Sequence, residues 1–496
     1  MSSSLGRHTA RSAAWSVGSQ AVTVAVGTLS TAILARLLTP ADFGLVAMVV
    51  AIIGFGELFR DFGLTNAVIQ APTVSRAEKT NLFWVNTLIG FSLTFVVYLL
   101  AEPIASYYQR DEVARVVRVL SLAFLINGIA TQPRANLVRD LRMRAIAVVD
   151  VLSVIFALIL SVALAIAGAG VWSLVGLQLG RLGMTLVASV IADGFLPGLP
   201  DRSTNIQSFM QFGMFSFAAR IPVFISMNID SVLIGRVLGA QTLGLYSRAY
   251  QLALMPTQQL TGPLSRVMLP TLSRLKNSTD QYNRALLRSQ SIMTTIAAIG
   301  YASVIVFAAE LVRIFLGPDW SGAVPIFQVL ALVGLIDSAN NLTYWVFISK
   351  GIPKQHLYYS LIGRPILIVA VVIMVQYGVT AIAWTYACWI AVAWVFGVWW
   401  AGRSTDIPVM TMIVDGARTF LMSLVLIAVG LMAKDQLDYP AVINVIFTCL
   451  IMLTALAAIF AISPAIRRDI RNTIAVKDYF KKPDTRVARV ADYTNQ

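Results

Sequence analysis

The sequence predicts an all-α integral membrane protein with about 14 transmembrane helices, and two observations support this fold class. Of the 496 residues, 57% are hydrophobic and only 12% are charged, whereas soluble domains carry about 25% charged residues. Apolar stretches recur along the whole chain, and each is long enough to cross a hydrocarbon core of about 30 Å. A surface built from this composition cannot face water throughout, so most of the chain is predicted to span lipid.

Glycines, prolines and charged residues separate the apolar stretches and set the limits of the predicted helices. The predicted spans are 13–36, 43–60, 80–101, 116–133, 147–167, 171–193, 210–236, 244–265, 289–309, 325–349, 356–376, 379–401, 413–432 and 441–462. The first span is longer than the apolar core of a secretory signal peptide, which has about 7–15 residues. We therefore expect it to be retained as a helix.

Basic residues predict the orientation in the membrane, because loops rich in Lys and Arg stay on the cytoplasmic side. They collect on one side, in clusters at 134–144 and 266–288 and in the tail from residue 463 onward. Both termini are therefore predicted to be cytoplasmic, in a bacterial inner membrane. A basic face beside anionic lipid headgroups also accounts for the net charge of +14, and we expect no nucleic-acid partner.

Few residues are of the kinds that bind metals or carry out catalysis. The two cysteines, Cys388 and Cys449, lie far apart inside apolar runs, and the two histidines, His8 and His356, are also widely separated. This pattern predicts no disulfide framework, no metal site and no cofactor. The sequence also lacks a Walker lysine loop. We expect a protein that is not an enzyme and that draws energy from an ion gradient, the membrane potential or consumption of its product.

An internal repeat is the most informative feature of the sequence. The stretch 33–45 has a counterpart 200 positions later, at 233–245. The matched pairs are Arg36 and Arg236, Leu38 and Leu238, and Gly44 and Gly244. An even number of predicted spans separates the two stretches, so both halves have the same orientation, as in transporters with a parallel repeat.

The repeat predicts the domain organisation. An N-terminal segment (1–12) precedes a first six-helix lobe (13–193), a cytoplasmic linker (194–209) and a second six-helix lobe (210–401). Two further helices (413–462) and a basic cytoplasmic tail (463–496) complete the chain.

These same residues resemble the signatures of Wzx-type polysaccharide transporters. Residues 35–44 (ARLLTPADFG) and 62–70 (FGLTNAVIQ) are similar to the family's first signature. Three later stretches are similar to the family's second signature: Asp230–Gly235 (DSVLIG), Gly244–Tyr246 (GLY) and Leu269–Pro270. The resemblance extends from about residue 10 to 465, and these transporters belong to the multidrug/oligosaccharidyl-lipid/polysaccharide exporter superfamily.

The resemblance implies a function as well as a fold. It implies two lobes that enclose a V-shaped cavity and a flippase that carries an undecaprenyl-diphosphate-linked oligosaccharide, or a close polyprenyl relative, to the outer leaflet by alternating access. The product would enter lipopolysaccharide or exopolysaccharide. The implied partners are membrane lipids, a glycosyltransferase system inside the cell and a polysaccharide polymerase outside.

Arginines inside predicted spans are the candidates for diphosphate binding, because a guanidinium stays charged and grips phosphate oxygens through paired donors. They are Arg181, Arg220, Arg248 and Arg364. Arg220 and Arg364 are the preferred pair, and Pro365 follows the latter. Charged residues in spans often mark a transport path. The alternative is that these side chains extend to the interface or neutralise buried partners.

Two acids and a set of aromatic and amide residues complete the candidate site. Asp230 and Asp337 could bind Na⁺ or H⁺ in a coupled transport step, or pair with a neighbouring arginine. Sugar-contact candidates are Gln258, Gln259, Asn340, Asn341, Tyr344 and Trp345. Alternatively, these amides join helices and the aromatic residues anchor the interface.

Two other functions remain open at this stage. A cation-coupled multidrug antiporter of the same superfamily would favour an acidic lumen, and the four arginines argue against it. A membrane polysaccharide polymerase or glycosyltransferase generally needs a sizeable extramembrane loop, and the longest external loop predicted here, at about 102–115, is too short.

Overall fold

The computed structural model describes residues 2–61, 74–201, 224, 227–436 and 441–474. This part of the chain is helical and contains no strand. The helices are α1 (Ser2–Leu37), α2 (Pro40–Asp61), α3 (Arg76–Leu99), α4 (Ala101–Tyr108), α5 (Asp111–Leu120), α6 (Leu122–Arg139), α7 (Met143–Ile166), α8 (Val171–Asp193), α9 (Gly239–Leu275), α10 (Thr279–Val306), α11 (Ala308–Phe315), α12 (Val324–Ser349), α13 (Pro353–Met374), α14 (Val379–Gly402), α15 (Val409–Gln436), α16 (Ala441–Ile462) and α17 (Pro464–Ile474). Residues 227–237 are largely helical too.

The predicted multi-pass helical fold is confirmed. Eleven helices among the described residues are long and apolar enough to cross a membrane, and α2 adds a shorter apolar stretch, Pro40–Gly54. Most of the predicted span 210–236 lies outside the described residues. The total of about 14 spans therefore stays a prediction.

Local hydrogen bonds mark where two of the helices begin and meet. Ser75 and Glu78 form a capping box at the start of α3, in which each side chain accepts a hydrogen bond from the other residue's backbone N–H. The helix predicted at 116–133 lies within one span, Asp111–Arg139, in which α5 and α6 meet at Ser121. Ser121 keeps helical dihedral angles, and its hydroxyl donates to the Arg118 carbonyl at 2.7 Å, so a side chain binds the backbone where the two helices meet.

The chain divides into two compact units. Unit 1 comprises residues 1–247 and 312–322, and unit 2 comprises residues 248–311 and 323–496. Unit 1 therefore contains both stretches of the sequence repeat, 33–45 and 233–245. The predicted lobe boundaries do not follow this division and stay predictions.

The two repeat stretches meet inside unit 1, where α2 crosses the first turns of α9. A Cβ atom added at Gly44 would fall within 3.0 Å of the Ala240 carbonyl, and one added at Gly244 would fall equally close to the Pro40 carbonyl. Pro40 and Ala240 are themselves 200 positions apart. The crossing is therefore reciprocal, and only glycine allows this backbone approach.

A buried tryptophan extends the packing around this crossing. The Trp320 indole N–H donates to the Ala35 carbonyl at 2.8 Å, and its ring meets Phe43 edge-on with centroids 5.3 Å apart. Arg36 donates to the Ile314 carbonyl at 2.8 Å. The segment 312–322 is thus held against the first repeat stretch by contacts far apart in sequence.

Unit 2 has two hydrophobic clusters and a buried ionic network. One cluster joins α9, α10, α12 and α14 around Trp345 and Trp394. The other joins α10, α12, α15, α16 and α17. Asp469 of α17 is buried, bonds to Arg418 and accepts a hydrogen bond from the Ser291 hydroxyl at 2.9 Å. This network fixes α17 against the bundle.

Candidate functional site

Four predicted site residues lie on one side of α12, at helical spacing. They are Asp337, Asn340, Asn341 and Tyr344, which occupy positions i, i+3, i+4 and i+7 and therefore share a face. The Asn341 amide donates to the Asp337 carboxylate at 3.2 Å and to its backbone carbonyl at 2.9 Å. The Asn340 amide donates to the other carboxylate oxygen at 3.4 Å. The carboxylate is thus held by neutral amides, and it forms no ion pair with any described residue.

Helix α13 places a histidine, a tyrosine and an arginine beside this face. The His356 ring lies 5.6 Å from the Tyr344 ring and 6.4 Å from the Tyr359 ring, measured between centroids. Tyr359 is close enough to both Arg364 and Asp337 to interact electrostatically. We refer to these residues of α12 and α13 as the polar face of unit 2.

A small residue on α14 lets the three helices approach. A Cβ atom added at Gly397 would lie 3.1 Å from the Thr343 side chain of α12 and 3.3 Å from the Tyr359 ring of α13. The Tyr359 hydroxyl donates to the Ala393 carbonyl of α14 at 2.9 Å. Tyr359 is therefore fixed in place by α14, and its position sets the spacing of the polar face.

The polar face combines three kinds of chemistry within predicted spans. Arg364 offers a planar set of N–H donors suited to phosphate oxygens. Tyr344 is 44% exposed and can stack on a sugar ring. Asp337 and its amides supply oxygens and N–H groups that can bind hydroxyls or a small cation. Such an arrangement can hold a polar, anionic ligand at a depth where lipid cannot solvate it.

The other predicted arginines lie elsewhere. Arg181 is exposed on α8 of unit 1, and Arg248 is partly buried in unit 2. Arg220 lies outside the described residues, so its predicted partnership with Arg364 stays a prediction.

The remaining sugar-contact candidates differ in accessibility. Gln258 and Gln259 are exposed on α9. Trp345 is only 1% exposed, and its indole N–H donates to the Ser265 hydroxyl at 2.9 Å. Trp345 is thus part of the unit 2 core in this conformation and is not available to a sugar, because its ring packs in the hydrophobic cluster that joins α9, α10, α12 and α14.

The second predicted acid has a different environment from Asp337. Asp230, in unit 1, is 4% exposed and accepts hydrogen bonds from the Tyr246 hydroxyl and the Ser231 backbone N–H, both at 2.7 Å. Short bonds to a buried carboxylate fit a structural role that ties the segment around Asp230 to α9.

Sequence analysis missed His356 as a part of the site. The sequence assigned His356 no role in the site, yet it is partly buried and its ring centroid lies 5.2 Å from that of Phe347. The signal was available in its spacing: His356 and Tyr359 are one helical turn apart. Among the described residues, no group of three or more His, Cys, Asp and Glu side chains could hold a metal ion.

The fold and the polar face define a multi-pass membrane protein whose spanning helices carry charged side chains. The fold is that of known transporters: the chain superposes on the lipid II flippase MurJ in an inward closed conformation with a TM-score of 0.69, over 90% of this chain and 98% of that one, at 12% identity. An inward-facing multidrug resistance transporter of the MATE family gives a TM-score of 0.59, over 80% and 98% of the two chains, at 15% identity.

Sequence comparison gives the family. The polysaccharide biosynthesis protein family matches residues 33–325, which is more than half of the chain, and the protein belongs to that family. It is 26% identical to the lipopolysaccharide biosynthesis protein WzxC of Escherichia coli, over 68% of this chain and 69% of that protein. It is 27% identical to the teichuronic acid biosynthesis protein TuaB of Bacillus subtilis, over 70% and 72%. The resemblance to Wzx-type transporters is confirmed.

Proposed function

We propose that the protein is a flippase that moves a polyprenyl-diphosphate-linked oligosaccharide from the cytoplasmic to the outer leaflet by alternating access, for the synthesis of a cell-surface polysaccharide. Family membership supports this function. So do the relatives' names, which include a succinoglycan biosynthesis transport protein of Rhizobium meliloti, 26% identical over 65% of each chain. The protein acts as a carrier and not as an enzyme.

The polar face of unit 2 is the observation that carries the proposal. A lipid-linked sugar needs cationic donors for its diphosphate and polar or aromatic groups for its sugars, while its prenyl chain stays in lipid. Arg364, Tyr344 and the amides beside Asp337 supply these groups on adjacent helices. Exposed charge inside spanning segments is costly unless it faces a wet path.

The proposed architecture keeps the predicted topology. It has 14 spans in two six-helix lobes with two C-terminal helices, and both termini are cytoplasmic in the inner membrane of a bacterium. A glycosyltransferase system would supply the substrate on the inner side, and a polymerase would consume it on the outer side.

Asp337 is the proposed site of ion coupling, to H⁺ or Na⁺. Its carboxylate is bound by amide N–H groups, so it can take up a proton or a small cation without displacing a paired arginine. Asp230 is the weaker candidate, because short hydrogen bonds already satisfy its carboxylate.

Depletion of the protein in its host tests the function. We expect one lipid-linked oligosaccharide to accumulate on the cytoplasmic side, detected by mass spectrometry of extracted lipids, and to disappear when the wild-type gene is restored. Unchanged lipid-linked intermediates would contradict the proposal.

A cation-coupled drug antiporter is the second candidate, and the shared MATE fold is the observation that favours it. Drug susceptibility measured on the same depleted cells separates the two functions. Increased sensitivity to cationic drugs without a lipid-linked intermediate would favour the antiporter.

A further inference from the structure

Helix α7 of unit 1 has an apolar groove on each side. The groove between α7 and α8 has a volume of about 610 Å³ and is lined by aliphatic residues such as Val187 and Ile191. The groove between α1 and α7 has a volume of about 640 Å³ and is lined by residues that include Trp15 and Val22. Both grooves are open and lined mostly by apolar side chains, so a hydrocarbon chain can fill them.

The two grooves are neighbours that share a wall. Val148 and Leu152, four residues apart on α7, line both of them. From Arg144 to Leu152 the wall extends for about 12 Å, at about 1.5 Å per helical residue. A molecule with two hydrocarbon chains can therefore lie across α7 with one chain in each groove.

Two arginines mark the same end of this pair of grooves. Arg142 and Arg144 line the α7–α8 groove and are exposed. The Arg144 guanidinium also lies 5.6 Å from the centroid of the Trp15 ring, and Trp15 lines the other groove. The cationic end is thus common to both grooves.

These arginines differ from the other two basic residues of their cluster. Arg134 forms an ion pair with Asp150 at 2.8 Å, and Arg139 also has an interaction partner. The ion pairs found among the described residues include neither Arg142 nor Arg144. Arg142 also interacts electrostatically with Asp193 at the end of α8. Both guanidinium groups are exposed and can reach a ligand outside the protein.

We infer that α7 and its flanking grooves bind one anionic diacyl phospholipid, with its headgroup phosphate at Arg142 and Arg144 and one acyl chain in each groove. Guanidinium groups bind phosphate oxygens through paired, charge-assisted hydrogen bonds. The aliphatic walls gain free energy when a chain covers them. A polyprenyl phosphate has a single chain and would fill only one groove, so the pair of grooves favours a diacyl lipid.

Lipid retention by the purified full-length protein tests this site. The protein is delipidated in detergent and incubated with phosphatidylglycerol or phosphatidylcholine of the same acyl chains, and bound lipid is counted by native mass spectrometry. We expect one retained phosphatidylglycerol at concentrations where phosphatidylcholine is lost. The double variant R142Q/R144Q should bind it about tenfold more weakly, which corresponds to about 1.4 kcal/mol.

Variants of the grooves and a charge-matched control sharpen the test. Gly18 lines the α1–α7 groove, and a Cβ added there meets no atom within 4 Å, so Gly18→Leu places an apolar side chain in that groove. Ala188→Leu fills the other groove. Both should lower phosphatidylglycerol retention while the arginines stay in place. The double variant R274Q/K354Q removes two exposed cations of unit 2 and should retain the lipid.

Three outcomes would overturn the inference. They are equal retention of phosphatidylglycerol by the wild type and R142Q/R144Q, equal retention of both phospholipids by the wild type, and displacement of phosphatidylglycerol by an equimolar polyprenyl phosphate. Size-exclusion profiles identify any variant that fails to fold. If R142Q/R144Q fails to fold, the lipid retention of Gly18→Leu and Ala188→Leu tests the inference in its place. The measurement is of binding and not of transport, so its result does not depend on the proposed function.

Discussion

The crossing of α2 and α9 in unit 1 and the polar face of α12 and α13 in unit 2 join their helices in opposite ways. At the crossing, backbone meets backbone: Gly44 and Gly244 each face a carbonyl of the other helix with no room for a Cβ atom. At the polar face, side chains meet between the helices: the Tyr344 ring of α12 and the His356 ring of α13 have centroids 5.6 Å apart.

This difference teaches where the protein is fixed and where it can bind. A close backbone contact leaves no room for an added atom. It also has no free hydrogen-bonding group for a ligand, because the backbone N–H and C=O groups are already bonded within the helices. A face lined by partly exposed side chains can exchange its own hydrogen bonds for those of a ligand. Substitutions at the crossing should therefore affect stability, and substitutions on the polar face should affect transport.

The largest effect is expected from Gly44→Ala and Gly244→Ala. Each added methyl group would overlap a carbonyl oxygen of the partner helix, so α2 and α9 must move apart, and overpacking typically costs about 1–3 kcal/mol. The loss of stability is measured by heating the detergent-solubilised protein and monitoring the remaining monomer by fluorescence-detected size-exclusion chromatography.

Gly27→Ala is the matched control for the crossing. A Cβ atom at Gly27 of α1 meets no atom within 4 Å, and alanine favours a helix over glycine by about 1 kcal/mol. This variant should be as stable as the wild type or more so. Equal stability of all three variants would show that the close crossing does not hold unit 1 together.

Arg364→Ala should abolish transport and leave insertion and folding intact. The polar face then lacks the guanidinium proposed to bind the diphosphate, and charge-assisted hydrogen bonds of this kind are each worth about 1.5–3 kcal/mol. Accumulation of the lipid-linked intermediate in complemented cells measures transport, and membrane fractionation checks insertion.

Arg181→Ala provides the comparison for Arg364→Ala. Arg181 also lies inside a predicted span, but it is exposed on α8 of unit 1. We expect near-normal transport from this variant. Wild-type transport by Arg364→Ala would remove Arg364 from the site, and loss of transport in Arg181→Ala would place substrate contacts in unit 1 as well.

Helix positions could be predicted from the sequence because they depend on the length of each apolar stretch and on the Gly, Pro and charged residues that separate the stretches. The predicted span 171–193 coincides with α8, and 441–462 coincides with α16. The junction of α5 and α6 at Ser121 could not be predicted in this way, because it lies inside one continuous apolar span, Asp111–Arg139. Likewise, the repeat identified Gly44 and Gly244 as a pair, but not that they would meet each other's helices.

The candidate site was predictable in composition but not in geometry. Asp337, Asn340, Asn341 and Tyr344 were identified by residue type, and their helical spacing placed them on one face. Trp345 was assigned to the same set, yet it is buried against Ser265. Adjacent residues on a helix point in directions about 100° apart, and only the packing of α9 against α12 decides which direction is the core.

A smaller and more specific effect is expected from the two acids. Asp337→Asn removes the charge and keeps only one of the two oxygens that accept amide N–H bonds. Transport should lose its dependence on the H⁺ or Na⁺ gradient, while stability falls by no more than about 1 kcal/mol for the lost bond. Asp230→Asn should destabilise the protein by about 1–3 kcal/mol, because the bonds from Tyr246 and Ser231 lose their charged acceptor. Transport in vesicles with imposed gradients, together with thermal unfolding, separates the two outcomes. A gradient dependence retained by Asp337→Asn and lost by Asp230→Asn would reverse the assignment.

The smallest effects are expected at two neighbouring aromatic residues of α12. Trp345→Phe removes one indole hydrogen bond to Ser265, and the net loss should be about 1 kcal/mol of stability without a change in transport. Tyr344→Leu removes a ring that is 44% exposed, so stability should change by less than about 0.5 kcal/mol while transport of the lipid-linked sugar slows. Measuring stability and transport in both variants tests whether the buried residue stabilises α12 and the exposed residue contacts the sugar. A larger loss of transport from Trp345→Phe than from Tyr344→Leu would contradict this separation of roles. It would mean that Trp345, buried in this conformation, becomes exposed to the sugar in a different state of unit 2.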